Sequence, residues 1–198
     1  MNTSHSIVFA TNNEHKLKEV QHKIGNSFRL LSLKEINFFD DIDEDFNTLE
    51  ENASQKAWFI FNKFKLDCFA DDTGLEVDAL LGEPGVFSAR YAGAQKSSKD
   101  NIIKLLNNLK GELNRNAQFR TVISLILKGE EYRFEGIVRG IIIDDVRGTD
   151  GFGYDPIFIP EGFSHTFAEM DLSLKNIISH RGLAIEKLSA FLNSLSLK

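Results

Sequence analysis

The sequence predicts a mixed α/β fold, and three features predict it. Short apolar strands alternate with amphipathic helices through the N-terminal part of the chain, and a long two-stranded segment follows late. No internal repeat, low-complexity tract or linker interrupts the 198 residues, so residues 1–198 read as one domain. Alternating strands and helices make an α/β sheet, here read as two lobes around a groove that can hold a ligand.

The elements follow in order. Ile7-Val8-Phe9-Ala10 is wholly apolar, the pattern of a buried strand. Thr11-Asn12-Asn13 interrupts it, and a charged amphipathic helix runs from Glu14 to Ile24, stopped by Gly25-Asn26. Phe28 to Leu31 is the second strand, and Asn37 to Asp45 an irregular acidic loop with Asp40, Asp41, Asp43, Glu44 and Asp45. Thr48 caps a helix reaching Phe64, with Glu51 completing a capping box. Asp67 to Asp71 is the next strand, ending in a carboxylate pair. Gly82-Glu83-Pro84-Gly85 is a turn cluster, and Ser97 and Ser98 open a helix to Leu109. Phe119 to Lys128 and Tyr132 to Ile143, joined at Gly129-Glu130-Glu131, form a long hairpin. A glycine-rich loop, Gly148 to Tyr154, leads into a short strand, Pro156 to Ile159. Arg181 to Ser194 is the closing helix, with Leu183, Leu188, Phe191, Leu192 and Leu195 on one face.

Composition narrows the function. The net charge of −6 argues against a broad nucleic-acid surface, which needs basic patches. An acidic chain can still bind a polyphosphate through local lysines, helix N-termini or a metal. Seventeen phenylalanines imply that most are core. Cys68, the one cysteine, lies in the apolar run Cys68-Phe69-Ala70 and reads as a small buried hydrophobe. With neither a signal-peptide pattern nor a membrane-spanning apolar run, a cytoplasmic protein without a membrane partner is expected.

Four segments carry chemistry. Thr11-Asn12-Asn13-Glu14-His15-Lys16 joins a buried strand to a helix, where free amides, the helix dipole and the Lys16 ammonium can cradle phosphate. A plain N-cap with an exposed lysine is the alternative. Asp71-Asp72-Thr73-Gly74 places two carboxylates at the end of a strand, where open α/β sheets bind ligands. Strand neighbours point to opposite faces, so one can hold a hard divalent cation while the other is tied up in structure. An acidic turn using both as caps is the alternative. In Gly151-Phe152-Gly153-Tyr154-Asp155-Pro156, glycines flanking an aromatic can open a ring face to a base; a bare aromatic turn fits equally. Lys175 with Ser179-His180-Arg181-Gly182 offers donors to a base carbonyl or phosphate, or simply starts a helix.

These residues resemble the inosine triphosphate pyrophosphatase (Ham1-like) family. The matching stretches are Ala10 to Lys16, Glu51-Asn52-Ala53-Ser54-Gln55-Lys56-Ala57, Ala70 to Leu75, Pro84 to Gly93, Gly151 to Pro156 and Ile178 to Gly182. They occur in family order and cover essentially the whole chain. The resemblance implies an elongated α/β fold with a long central mixed sheet, two lobes with an active-site groove between them, and a homodimer. It implies Mg²⁺-dependent cleavage of inosine and xanthosine triphosphates, and their deoxy forms, between the α- and β-phosphates. By motif position, Thr11, Asn12, Asn13, Glu14, His15, Lys16 and Lys56 would hold the triphosphate. Asp72 would bind Mg²⁺ and act as base for the attacking water, with Glu44 as second metal carboxylate and Thr73 touching substrate. Phe152 would stack on the purine, Gly153, Tyr154 and Asp155 would line the site, and Lys175, His180 and Arg181 would read the base edge. Arg90 would line the cleft. Two positions depart from the family: Asn12 stands where glycine is usual, and Thr73 where serine is usual.

Selectivity would rest on the purine 6-position, where an oxo group accepts hydrogen bonds and adenine's amino group donates them. A phosphatase releasing orthophosphate and a non-catalytic nucleotide-binding module are the rival readings. The Asp71-Asp72 pair with Lys16 and Lys56 speaks against the second.

Overall fold

The computed structural model describes residues 6–24 and 29–195. The expected stop at Gly25-Asn26 and the start of the second strand at Phe28 lie outside the described residues. The chain divides into two compact units. The first comprises residues 1–72, 121–136 and 181–198, and the second residues 73–120 and 137–180.

In the first unit, strand β1 (Ser6–Phe9) leads into helix α1 (Glu14–Ile24), strand β2 (Arg29–Leu31) and helix α2 (Leu49–Phe64). Strand β3 (Cys68–Val77) follows, with its residues up to Asp72 in this unit, and helix α5 (His180–Leu195), in this unit from Arg181 on, is the last element described. β1 pairs in parallel with β2, Ile7 opposite Leu30, and with β3, Phe9 opposite Phe69. The two-residue period of the strands sorts their side chains into two cores. Ile7, Phe9 and Phe69 pack with Val20 of α1 and Ala184, Ile185, Leu188 and Leu192 of α5. Val8, Ala10, Cys68 and Ala70 pack with Ala57 and Ile60 of α2. Helices thus cover both faces of these strands, which is why they are apolar throughout. Leu195, expected on the buried face of the last helix, is 41% exposed; the packed stripe includes Ala184 and Ile185 instead.

Three expectations need correction here. β3 does not end at the carboxylate pair but continues to Val77. Gly74 is the reason: Leu75 pairs antiparallel with Gly85 of strand β4 (Pro84–Gly85), and a Cβ at Gly74 would lie 2.6 Å from the Gly85 carbonyl oxygen. Glycine there permits the close strand approach. The hairpin between β5 (Asn116–Leu127) and β6 (Glu130–Ile142) turns on Lys128-Gly129 alone, both with positive φ. Two left-handed residues suit the right-handed twist of a tight hairpin. Finally, Asp155–Ile157 forms a 3₁₀ turn, so the last strand, β7, is Phe158–Pro160.

The strands follow the order β2-β1-β3-β5-β6-β7, with β4 on β3, and β6–β7 is antiparallel, which makes the sheet mixed. In the second unit, helix α3 (Ser98–Asn108), capped by Ser97, buries Ile102 and Leu105 against Leu75, Phe119, Ile142, Phe158 and Phe167. Helix α4 (Leu172–Ile178), unanticipated from sequence, starts on the Asp171 side chain, which accepts from the Leu174 amide at 2.8 Å. Phe9, Phe38, Phe69, Phe119, Phe158 and Phe167 are buried as expected, whereas Phe39, Phe46, Phe59, Phe87 and Phe163 are exposed. No helix among the described residues is long and apolar enough to cross a membrane.

Candidate active site

β3 carries its two carboxylates to opposite faces, as the strand period requires. Asp71 points to the α1/α5 side. Its Oδ1 accepts from the Lys16 ammonium at 2.9 Å, and its Oδ2 from Arg181 Nε at 3.1 Å. Arg181 is itself buried and donates through Nη1 to Glu19 of α1. Burial alone would raise the Asp71 pKa, but Lys16 and Arg181 outweigh it and hold this carboxyl well below the ordinary range. Burial also lowers the pKa of Lys16, with Asp71 opposing.

Asp72 points to the α2 side, and its partners are more distant. Lys56 Nζ lies 3.4 Å from Oδ1, and Asn52 Nδ2 lies 3.3 Å from Oδ2, both at the weak end of hydrogen-bond geometry. The same Lys56 ammonium is 2.5 Å from Oε1 of Glu44, in the acidic loop. One cation therefore bridges Glu44 and Asp72. Burial raises the Asp72 pKa, Lys56 and Lys16 oppose it, and the Glu44 and Asp71 charges add to the rise. Spacing on α2 explains this face: Asn52 and Lys56 lie one turn apart beside the buried Ala53 and Ala57. Thr48 caps the helix, accepting from the Glu51 amide at 3.2 Å and donating to the Glu51 carboxylate at 2.7 Å.

The segment before α1 differs from its expectation. Asn13 Oδ1 accepts from the amides of His15 at 3.0 Å and Lys16 at 3.2 Å, and the Asn13 amide donates to Thr11 Oγ1. Those helix amides are capped by the chain itself rather than left outward, because asparagine is among the best N-caps. Lys16 is not exposed either but sits against Asp71. Asn12 has no left-handed backbone, so its replacement of glycine brings no strain. Its side chain donates to the Asp40 carbonyl at 3.0 Å and the Asp41 carboxylate at 3.3 Å, tying this turn to the acidic loop. Glu14 forms an exposed pair with Lys34.

In the second unit, Asp155 Oδ2 accepts from the Phe152 amide at 2.7 Å and from Lys175 Nζ at 2.8 Å. Lys175 Nζ also lies 5.2 Å from the Phe152 ring centroid, within cation–π range. Asp155 thus holds both the backbone of the half-buried Phe152 and the ammonium that faces its ring. Gly153 has φ +62° and open space around it, so the backbone beside Phe152 is accessible. Tyr154 is buried and donates to the Ser88 carbonyl at 3.0 Å. The His180 ring stacks on Phe119 with centroids 4.6 Å apart. Arg90 lies over the Phe87 ring at 5.2 Å, and Thr73, half-buried, opens this unit directly after Asp72.

Within the first unit, then, Lys16, Glu44, Lys56, Asp72 and Arg181 come together around β3; within the second, Phe152, Asp155 and Lys175 do. Sequence reasoning gave no role to Glu19 or Asn52. Their signal was present: Glu19 adjoins the buried Val20 and lies three residues after Lys16, and Asn52 lies four before Lys56. Among the described residues, no group of three or more His, Cys, Asp or Glu is disposed to hold a metal. Asp72 and Glu44, already sharing one cation, are a sparse, hard-oxygen pair of the kind that suits Mg²⁺, which takes one or two carboxylates and fills its shell with water and phosphate.

A dITP/XTP pyrophosphatase of Flavobacterium johnsoniae is 55% identical to this chain over 182 residues, covering 92% of this chain and 95% of that protein. A protein of the same name from Porphyromonas gingivalis is 49% identical over 187 residues, covering 94% and 96%. Among solved structures, the Ham1 protein of Staphylococcus aureus matches with TM-score 0.87 and 42% identity over 96% of this chain and 98% of that one. The Ham1 protein of Coxiella burnetii matches with TM-score 0.88 and 38% identity over 96% and 99%. The Ham1 family model spans residues 7–191, and the chain belongs to that family.

Proposed function

We propose that this chain hydrolyses noncanonical purine nucleoside triphosphates (ITP, dITP and XTP) to the monophosphate and pyrophosphate, with Mg²⁺. The observation that carries the reading is the Glu44–Lys56–Asp72 arrangement, a carboxylate pair around one cation, in a chain 55% identical to a protein named for this activity. Asp72 and Glu44 would hold Mg²⁺, which when bound neutralises phosphate charge and polarises phosphate oxygens. Asp72 accepts the proton of the attacking water at a carboxylate oxygen. Lys16, Lys56 and the turn of Thr11, Asn12, Asn13, Glu14 and His15 take the triphosphate, the two ammonium groups stabilising the departing pyrophosphate. Phe152 stacks on the purine, with Gly153 giving access and Asp155 fixing the Phe152 backbone. Lys175, His180 and Arg181 read the base edge, while Thr73, Arg90 and Tyr154 line the substrate path. The reading includes a cytoplasmic homodimer without nucleic-acid or membrane partners.

The test is a panel of ITP, dITP, XTP, GTP and ATP, with and without Mg²⁺, scored for pyrophosphate. Mispairing a buried donor or acceptor costs roughly 1–3 kcal/mol, so two or three such groups favour the oxo-purines over ATP by up to ~10⁴-fold, with some leakage onto GTP. Comparable kcat/KM on ATP and dITP, or orthophosphate as the product, would overturn the reading.

A further inference from the structure

Asn52 is wholly buried, 0% exposed, on a helix face otherwise built from leucine, alanine, lysine and isoleucine. A primary amide offers one carbonyl oxygen and two N–H donors. The oxygen accepts from the Phe46 amide at 2.9 Å, and Nδ2 donates to the Phe46 carbonyl at 3.2 Å and to Asp72 Oδ2 at 3.3 Å. A single side chain therefore grips both backbone groups of Phe46, two residues beyond Glu44, and at the same time the carboxylate on β3. Because Nδ2 engages Oδ2 of Asp72, Oδ1 is the oxygen that faces Lys56. Three positions on, Gln55 makes a second clamp on the loop, accepting from the Asp45 amide at 3.1 Å and donating to its carboxylate at 2.7 Å, but this clamp is exposed and does not reach β3.

We propose that Asn52 is a positioning residue that sets the spacing and orientation of the Glu44–Asp72 pair for a divalent cation, without being a ligand itself. The inference rests on the reading of Asp72 and Glu44 as the cation-holding carboxylates and names what holds them. The chemistry demands an amide. Aspartate would bring a third carboxylate against Asp72 and lose both donors, and leucine would break both hydrogen bonds to the Phe46 backbone and the one to Asp72. Residues that orient metal ligands commonly change metal affinity 10–100-fold when altered.

The experiment is a Mn²⁺ titration followed by electron paramagnetic resonance, on the full chain with the non-hydrolysable α,β-methylene analogue of dITP. Circular dichroism and thermal melting report the fold in parallel. Wild type, Asp72→Asn, Asn52→Ala, Asn52→Asp and Gln55→Ala are compared. Asn52→Ala is expected to weaken Mn²⁺ binding about 10-fold or more while the fold persists, Asn52→Asp to weaken it as well, and Gln55→Ala to stay within about twofold. If Asn52→Ala does not fold, Asn52→Ser takes its place with the same expectation. A folded Asn52 variant that binds Mn²⁺ as wild type does overturns the proposal, and so does an equal loss in Gln55→Ala, which would assign the effect to loop anchoring alone. If Asp72→Asn binds Mn²⁺ like wild type, the metal reading itself falls, and the two failures are thereby told apart.

Discussion

The two faces of β3 treat neighbouring copies of the same functional group in opposite ways. On the α1/α5 face, Asp71 is enclosed by Lys16 and Arg181 at short range, with Glu19 completing the chain of charges. Its proton is held off, and its charge is fully spent inside the protein. On the α2 face, Asp72 is nearly as buried, 7% exposed against 2%, but its contacts are longer and a second carboxylate, Glu44, shares the Lys56 ammonium. Its ionised form is disfavoured by burial. The difference teaches that burial alone does not decide what a carboxylate does. The number and distance of its cations decide, and the face left short of positive charge is the one suited to take a metal and a proton.

The largest expected effect is on the well-paired face. Asp71→Asn leaves Lys16 and Arg181 buried with one counter-charge fewer, and breaking one side of a buried ion pair costs about 3–5 kcal/mol. Urea unfolding should show that loss. Next comes Asp72→Asn, which is expected to cut turnover of dITP by ~10²-fold or more, the low end of general-base effects, while the melting temperature stays within a few degrees of wild type. Were Asp72→Asn as destabilising as Asp71→Asn, the contrast between the faces would collapse. The smallest effect is the pH dependence of metal-free stability. Asp71 has a lowered folded pKa, so its contribution is present above the unfolded value of about 3.9 and fades as pH falls toward the folded one. Asp72 has a raised folded pKa, so its contribution is greatest below the unfolded value and is lost as pH rises through the folded one. Unfolding curves of the two Asn variants against wild type, taken from acid to neutral pH, should therefore diverge in opposite directions.

Much of this was legible in the chain. The strand period alone separated Asp71 from Asp72, and the apolar run around Val8 pointed to a fully buried strand. What escaped was whatever depends on a partner distant in sequence. The strand was expected to end at Asp71 because its continuation pairs with β4, where Gly85 lies eleven residues beyond Gly74. Asn13 looked like part of an anion cradle because nothing in a linear pattern says whether an amide will be capped by its own neighbour or left open. Helix α4 is only seven residues long, too short for a periodic stripe to show. Asn52 and Glu19 are polar residues on buried helix faces, and their value lies in Asp72 and Arg181, which the linear spacing does not point to.

The most direct test of the account is hydrolysis of dITP in ¹⁸O-labelled water with Mg²⁺, read by mass spectrometry of both products. Attack on the α-phosphorus by water that gives its proton to Asp72 predicts the label in the monophosphate and none in the pyrophosphate. Label in pyrophosphate, or release of orthophosphate, would contradict it.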